Sequence, residues 1–186
     1  MVENKKLEDI DYSINRIDDQ EYDGCTFINC SFSEEDLTDI NFLECDFQNC
    51  DFANAVLNRT SFKNVQFISC KLIGLNFNLC NKLLLSFSFE DCILDYSSFQ
   101  KINLKNTEII NCSLKDADFS SSDLSGARFD MCDLTGAIFE NTILEKDDLR
   151  TSFNFSIAPE INKIKSAKFL KQNISGLLSR YEILIE

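Results

Sequence analysis

Every fifth residue from Phe27 to Phe77 is Phe or Leu: Phe27, Phe32, Leu37, Phe42, Phe47, Phe52, Leu57, Phe62, Phe67, Leu72 and Phe77. Within NLCNKLL, residues 78–84, the series slips by two residues, at 78–83. It resumes at Leu84 and runs through Phe89, Leu94, Phe99, Leu104, Ile109, Leu114, Phe119, Leu124, Phe129, Leu134, Phe139 and Leu144 to Leu149. A helix repeats its apolar face every 3.6 residues and a half-buried strand every 2, so a period of five excludes both as the main element. Two residues before these large side chains the chain carries mostly small ones, such as Cys25, Cys30, Ala55, Thr60, Ala117 and Ala127. Side chains two apart on an extended segment share a face. Each small–large pair therefore points inward, and the chain must turn once per five residues to bring the next pair inward again.

The cysteines set the number of such segments per turn. Cys30, Cys50, Cys70, Cys92, Cys112 and Cys132 are spaced by 20 residues, except for the 22 that spans the slip. Twenty residues are four segments, which predicts a four-sided coil with six cysteines stacked along one inner wall. These thiols read as small apolar filler. Nine cysteines without an export signal fit a reducing compartment better than a disulfide framework. Cys80 is expected to stand off the pattern, in a loop, as the most reactive thiol.

At this point the chain resembles the pentapeptide-repeat family. The stretch ADFSS SDLSG ARFDM CDLTG AIFEN, residues 117–141, carries the repeat at nearly every small and large position. The resemblance implies an all-β, right-handed quadrilateral β-helix of about seven coils. With coils stacked at ~4.8 Å, the rod would be roughly 30 Å long. The expected organisation is a cap or irregular first coil at 1–24, the β-helix at 25–150, and a C-terminal cap and dimerisation segment at 151–186. In the first of these, Ile10, Asn15 and Gln20 stand where small residues belong. In the last, Pro159 marks a turn or helix start. NISGLLSRYEILI suggests a short helix near 174–181 and a strand from Ile183 to Ile185. Leu177, Leu178, Tyr181, Ile183 and Ile185 are too apolar for a free tail and are the candidate cap or homodimer residues, a two-fold dimer being the commonest closed assembly.

Charge narrows the function. The net charge is −13, and residues 1–60 hold 15 acidic against 4 basic side chains. A polyanion is repelled by nucleic acid and acidic membranes, so neither is an expected direct partner. No run of 18 apolar residues is present to cross a membrane. Histidine is absent, and the chain has no phosphate-binding glycine loop, nucleophile elbow or spaced metal-ligand set. Neither an enzyme nor a cofactor or metal site is therefore expected. Asp118, Asp123 and Asp133 read as turn residues bonded to nearby backbone rather than as catalytic carboxylates.

Two surfaces remain as candidates. Glu34, Asp36, Asp39, Glu44, Asp46 and Asp51 form an acidic set suited to a basic protein groove. Leu79, Cys80, Asn81 and Lys82 at the slip form a protruding contact. The tail pattern I-A-P-E-I-N-K-I…G-L-L…Y-E-I-L-I is similar to that of the Qnr quinolone-resistance proteins and the microcin-immunity protein of the same family. That resemblance implies a cytoplasmic dimer that mimics DNA, binds DNA gyrase or topoisomerase IV and protects it from quinolones or a toxin. The alternative is an interaction scaffold of the same fold with a partner other than a topoisomerase. Acids scattered around the rod would favour the scaffold.

Overall fold

In the computed structural model, which describes every residue except Arg16, Asp18, Glu182, Ile185 and Glu186, the five-residue period becomes a four-sided parallel β-coil. Short strands stack directly above one another with a 20-residue offset: Lys6–Glu8, Thr26–Ile28, Asp46–Gln48 and Val65–Ile68 form one ladder. Phe87–Glu90, Glu108–Ile110 and Arg128–Asp130 continue it. Isolated bridges from Arg128 to Asp148 and from Asp148 to Lys168 carry the same wall two levels further. A second ladder joins Val2–Glu3, Glu21–Asp23, Asn41–Leu43 and Ser61–Lys63.

The corner that the period demands is a left-handed residue two places after each large side chain. Asn29, Glu34, Asp39, Glu44, Asn49, Asn54, Arg59 and Asn64 all have φ between +51° and +64°. Asn, Asp and Gly tolerate this region best, and they occupy it repeatedly. At Gly74, φ is +71° and the Asn54 carboxamide oxygen lies 2.7 Å from where a Cβ would sit, so both the turn and the space favour glycine.

The interior is filled by aromatic stacks. Phe27, Phe47, Phe67 and Phe89 stack at centroid distances of 4.7, 5.2 and 5.5 Å. On another wall Phe77, Phe99, Phe119 and Phe139 stack at 4.8, 5.0 and 5.2 Å. The cysteine wall is as expected: the Cys50, Cys70 and Cys92 amides each face the sulfur one coil above at 3.4 Å, and all nine cysteines are buried and free.

Both ends depart from the limits set by sequence. The ladder starts at Val2 rather than near residue 25, and Tyr12 stacks on Phe32 at 4.6 Å, so the first coil is largely regular. Among the described residues of this coil, 13–20 pair with no strand, with turns and bends at Ser13, Ile14, Asn15 and Gln20. At the other end, bridges from Ile143 to Lys163 and Asp148 to Lys168 carry the coil well past residue 150. Pro159 lies in a turn. The cap consists of two 3-10 helices, Lys171–Leu177 and Ser179–Tyr181. Ile183 is in no strand, and Ile185, assigned by sequence to the same strand and the dimer segment, lies outside the described residues. The cap docks through the Ile157 amide on the Gly176 carbonyl at 2.9 Å and the Asn173 carboxamide on the Ser152 carbonyl at 3.0 Å.

Candidate functional site

The six candidate acids come from a single turn of the coil. Asp36 and Asp46 are ten residues apart in a 20-residue turn, so they face opposite sides of the rod. Their ladder partners confirm the separation: Asp36 bridges Val56, Asp46 pairs with Gln66, and Asp51 bridges Lys71. The acids therefore ring the rod instead of running along one side. Residues above and below differ from column to column, because the short polar position is filled independently in each coil.

Several of these charges are already engaged. Arg59, one coil above Asp39, clasps it with two bonds, Nε–Oδ1 at 2.6 Å and Nη2–Oδ2 at 2.5 Å. The guanidinium holds the Asp39 carboxyl below its ordinary range. Lys71 reaches Asp51 at 3.1 Å. Asp36 Oδ1 accepts the Thr38 amide at 3.0 Å and Asp51 Oδ1 accepts the Ala53 amide at 2.8 Å, so both carboxylates also close their own turns. Glu34 and Glu44 sit at left-handed corners, which project their side chains outward.

Asp118, Asp123 and Asp133 do what their turn positions suggest. Their Oδ1 atoms accept the backbone amides of Ser120, Ser125 and Thr135 at 2.8, 3.0 and 3.1 Å. Partial burial pushes all three carboxyls up, and hydrogen bonds from the Ser120, Ser125 and Thr135 side chains, together with these amides and neighbouring side chains, outweigh it to leave them below the usual range.

The slip differs from expectation in two ways. Cys80 is on the pattern: it follows Thr60 in its column, the next amide, Asn81 N–H, bonds the Thr60 carbonyl at 2.9 Å, and the side chain is 5% exposed. Burial pushes its thiol up to about 12, so it is not the reactive cysteine expected from the sequence. The extra residues enter after it. Leu84 does not resume the inner series: it is 60% exposed, with φ +61°. Phe87, paired with Val65, fills the gap instead, its ring 5.3 Å from Phe77 and 5.0 Å from Phe89. A large ring at the position that elsewhere holds a small residue occupies the interior that Leu84 vacates. Leu79, Asn81 and Lys82 are exposed as expected, and Leu83, which sequence reasoning did not single out, is 75% exposed.

At the C-terminal end Leu177 packs partly against the core, Leu178 is half-buried, and Tyr181 and Ile183 are exposed. The Tyr181 hydroxyl donates to Glu160, tying the cap to the last coil. A cleft lies where the cap meets the rod, lined by Phe153, Phe155, Asn173, Leu178 and Ile183 among others. Among the described residues no cluster of His, Cys, Asp or Glu could hold a metal ion, and no helix is long and apolar enough to cross a membrane.

Two solved structures are similar to the chain. A trypsin-treated form of QnrB1, described as a plasmid-mediated fluoroquinolone resistance protein, is 21% identical, covers 100% of this chain and 99% of its own, and superposes with a TM-score of 0.49. HetL, a pentapeptide repeat protein involved in heterocyst differentiation regulation from the cyanobacterium Nostoc sp., is 14% identical over 89% of this chain and 84% of its own, with a TM-score of 0.48. No curated protein matches the sequence. The family described as the pentapeptide repeat region matches residues 21–87 and 82–155, more than half of the length. With its repeat, its four-sided coil and that match, the chain belongs to the pentapeptide-repeat family.

Proposed function

We propose that the protein is a non-catalytic, protein-binding rod whose acidic N-terminal coils dock on a basic protein surface. The observation that supports this best is the polarity of charge along the rod: 15 acidic and 4 basic side chains in residues 1–60, against 3 and 5 in residues 151–186. Such a gradient orients the rod end-on as it approaches a positive groove and speeds encounter. Because the acids of residues 34–51 ring the coil, the end of the rod presents charge in every direction and does not imitate one strand of duplex phosphates along its length. That arrangement favours an end-on interaction module over a lengthwise DNA mimic.

A type II topoisomerase is the first partner to test. The tail pattern resembles that of the Qnr and microcin-immunity proteins, and a DNA-binding groove is basic. Gyrase supercoiling is measured with the protein titrated in, with and without a fluoroquinolone. Inhibition at high dose, or rescue from the drug, supports gyrase as partner. No effect from folded protein at tens of micromolar removes gyrase and leaves the binding rod with another basic partner.

The exposed end of the cap supports a homodimer in the same reading. Tyr181 and Ile183 are exposed and Leu184 is 94% exposed, which leaves apolar surface at the end of the rod. Sedimentation of the wild type and of Leu184→Asp tests this: a dimer that the variant converts to monomer is expected, and a wild-type monomer contradicts it.

A further inference from the structure

Asp147 occupies an inward position that the repeat reserves for a small side chain, two residues before Leu149. Its column holds Cys25, Cys45, Val65, Phe87, Thr107 and Ala127 below it and Ala167 above. The side chain is 0% exposed and neither carboxyl oxygen has a hydrogen-bond partner. A buried, unpaired carboxylate carries a large desolvation cost and ordinarily takes up a proton instead.

The coil shows what an inward polar side chain does at this level of the repeat. Thr60 donates to the Leu37 carbonyl at 2.8 Å, Thr142 to Phe119 at 2.9 Å, Ser152 to Phe129 at 2.8 Å and Asn162 to Phe139 at 2.8 Å. Each of these four donors lies 23 residues after its acceptor, whereas Ser122 donates to the Phe119 carbonyl three residues before it at 2.7 Å. By the 23-residue offset the acceptor for Asp147 is the Leu124 carbonyl. An ionised carboxyl has no proton to give to a carbonyl; a neutral one can donate as the hydroxyls do.

The surroundings compensate the anion only in part. The Gly126 and Ala127 amides favour it, but each already bonds a backbone carbonyl, Gly126 that of Glu145 at 2.9 Å and Ala127 that of Leu124 at 2.7 Å, and burial outweighs them. On the coil below, Asp123 opposes ionisation, and its own charge is paired with Lys105 at 3.0 Å. Arg128 of that coil turns outward to Asp130. On the same coil Glu145 and Lys146 lie at the outer corner, and Asp148 is paired with Arg150 at 2.7 Å. On the coil above, Lys165 is exposed and Lys168 reaches Asp148 at 3.8 Å.

We propose that Asp147 is held as a neutral acid donating to the Leu124 carbonyl, and that its ionisation loosens the last coils and the cap seated on them. The link to the cap is direct: the Lys168 amide bonds the Asp147 carbonyl at 2.8 Å, and Phe169 of that upper coil packs on Phe155 at 5.4 Å beneath the cap. Burial raises the carboxyl from the ordinary 3.8 to about 8. The folded state thus keeps a proton that the unfolded state has lost. Stability from this group is full below the ordinary carboxyl range, falls as pH rises toward 8, and is flat above.

The test is a pH titration of the Asp147 carboxyl carbon by NMR in the wild-type chain, with hydrogen exchange of the Lys168 amide. A midpoint near 8 is expected, and the protection of Lys168 should fall by up to about tenfold per pH unit across the window. Asp147→Asn, which keeps a donor and cannot ionise, should flatten that dependence. Titration in the ordinary carboxylate range, or the same pH dependence in wild type and variant, overturns the proposal. If the variant does not fold, the wild-type titration decides alone.

Discussion

Each residue in this coil answers to its place in a five-residue cycle, and its energetic weight follows from that place. Phe47 is fully buried and stacked between Phe27 and Phe67. Phe47→Ala should cost about 3–5 kcal/mol by urea denaturation. Leu84 is at the opposite extreme, exposed and left-handed, where a leucine is strained by roughly 1–2 kcal/mol. Leu84→Asn should therefore stabilise the protein by about 1 kcal/mol in the same measurement. Cys80, buried with its thiol pushed up to about 12, should resist alkylation until the chain unfolds. Rapid labelling in native buffer would contradict its placement.

At the scale of the element, the inner walls were legible in the sequence because spacing alone determines which side chains share a wall. The stacked cysteines and the aromatic stacks follow from intervals of five and twenty. The slip was not legible to the same degree. Leu83, Leu84, Leu85 and Phe87 are all apolar, and spacing cannot say which of them fills the interior after an insertion; packing chooses the largest ring. This choice has a measurable consequence. Phe87→Ala should cost about 3–5 kcal/mol, whereas Leu83→Ser should change stability by no more than about 0.5 kcal/mol. Comparable losses for the two variants would place the slip elsewhere. Two other features could have been read earlier. An acid at 147 breaks the small-residue rule in plain view of the period. Asp36 and Asp46, half a turn apart, had to face opposite sides. The coils at residues 2–12 and 151–169 were missed because their small positions hold unusual residues such as Ile10 and Asn162, while the backbone ladder they join is unchanged.

At the scale of the whole molecule, the coil is a filled rod with its charge at one end and its apolar surface at the other. Its polar side chains mostly serve turns and ladders, which leaves shape and electrostatics as the means of recognising a partner. The central claim is that the acidic N-terminal coils carry that recognition. The most direct measurement is the affinity for purified gyrase, or for the basic partner that replaces it, as a function of salt. Wild type is compared with a variant combining Asp36→Asn, Glu44→Gln, Asp46→Asn and Asp51→Asn. The account predicts that wild-type affinity falls steeply as salt rises, because screening shortens the reach of exposed charge, and that the variant binds more weakly with a shallower salt dependence. Equal affinity and equal salt dependence for the two, with both chains folded, would contradict it.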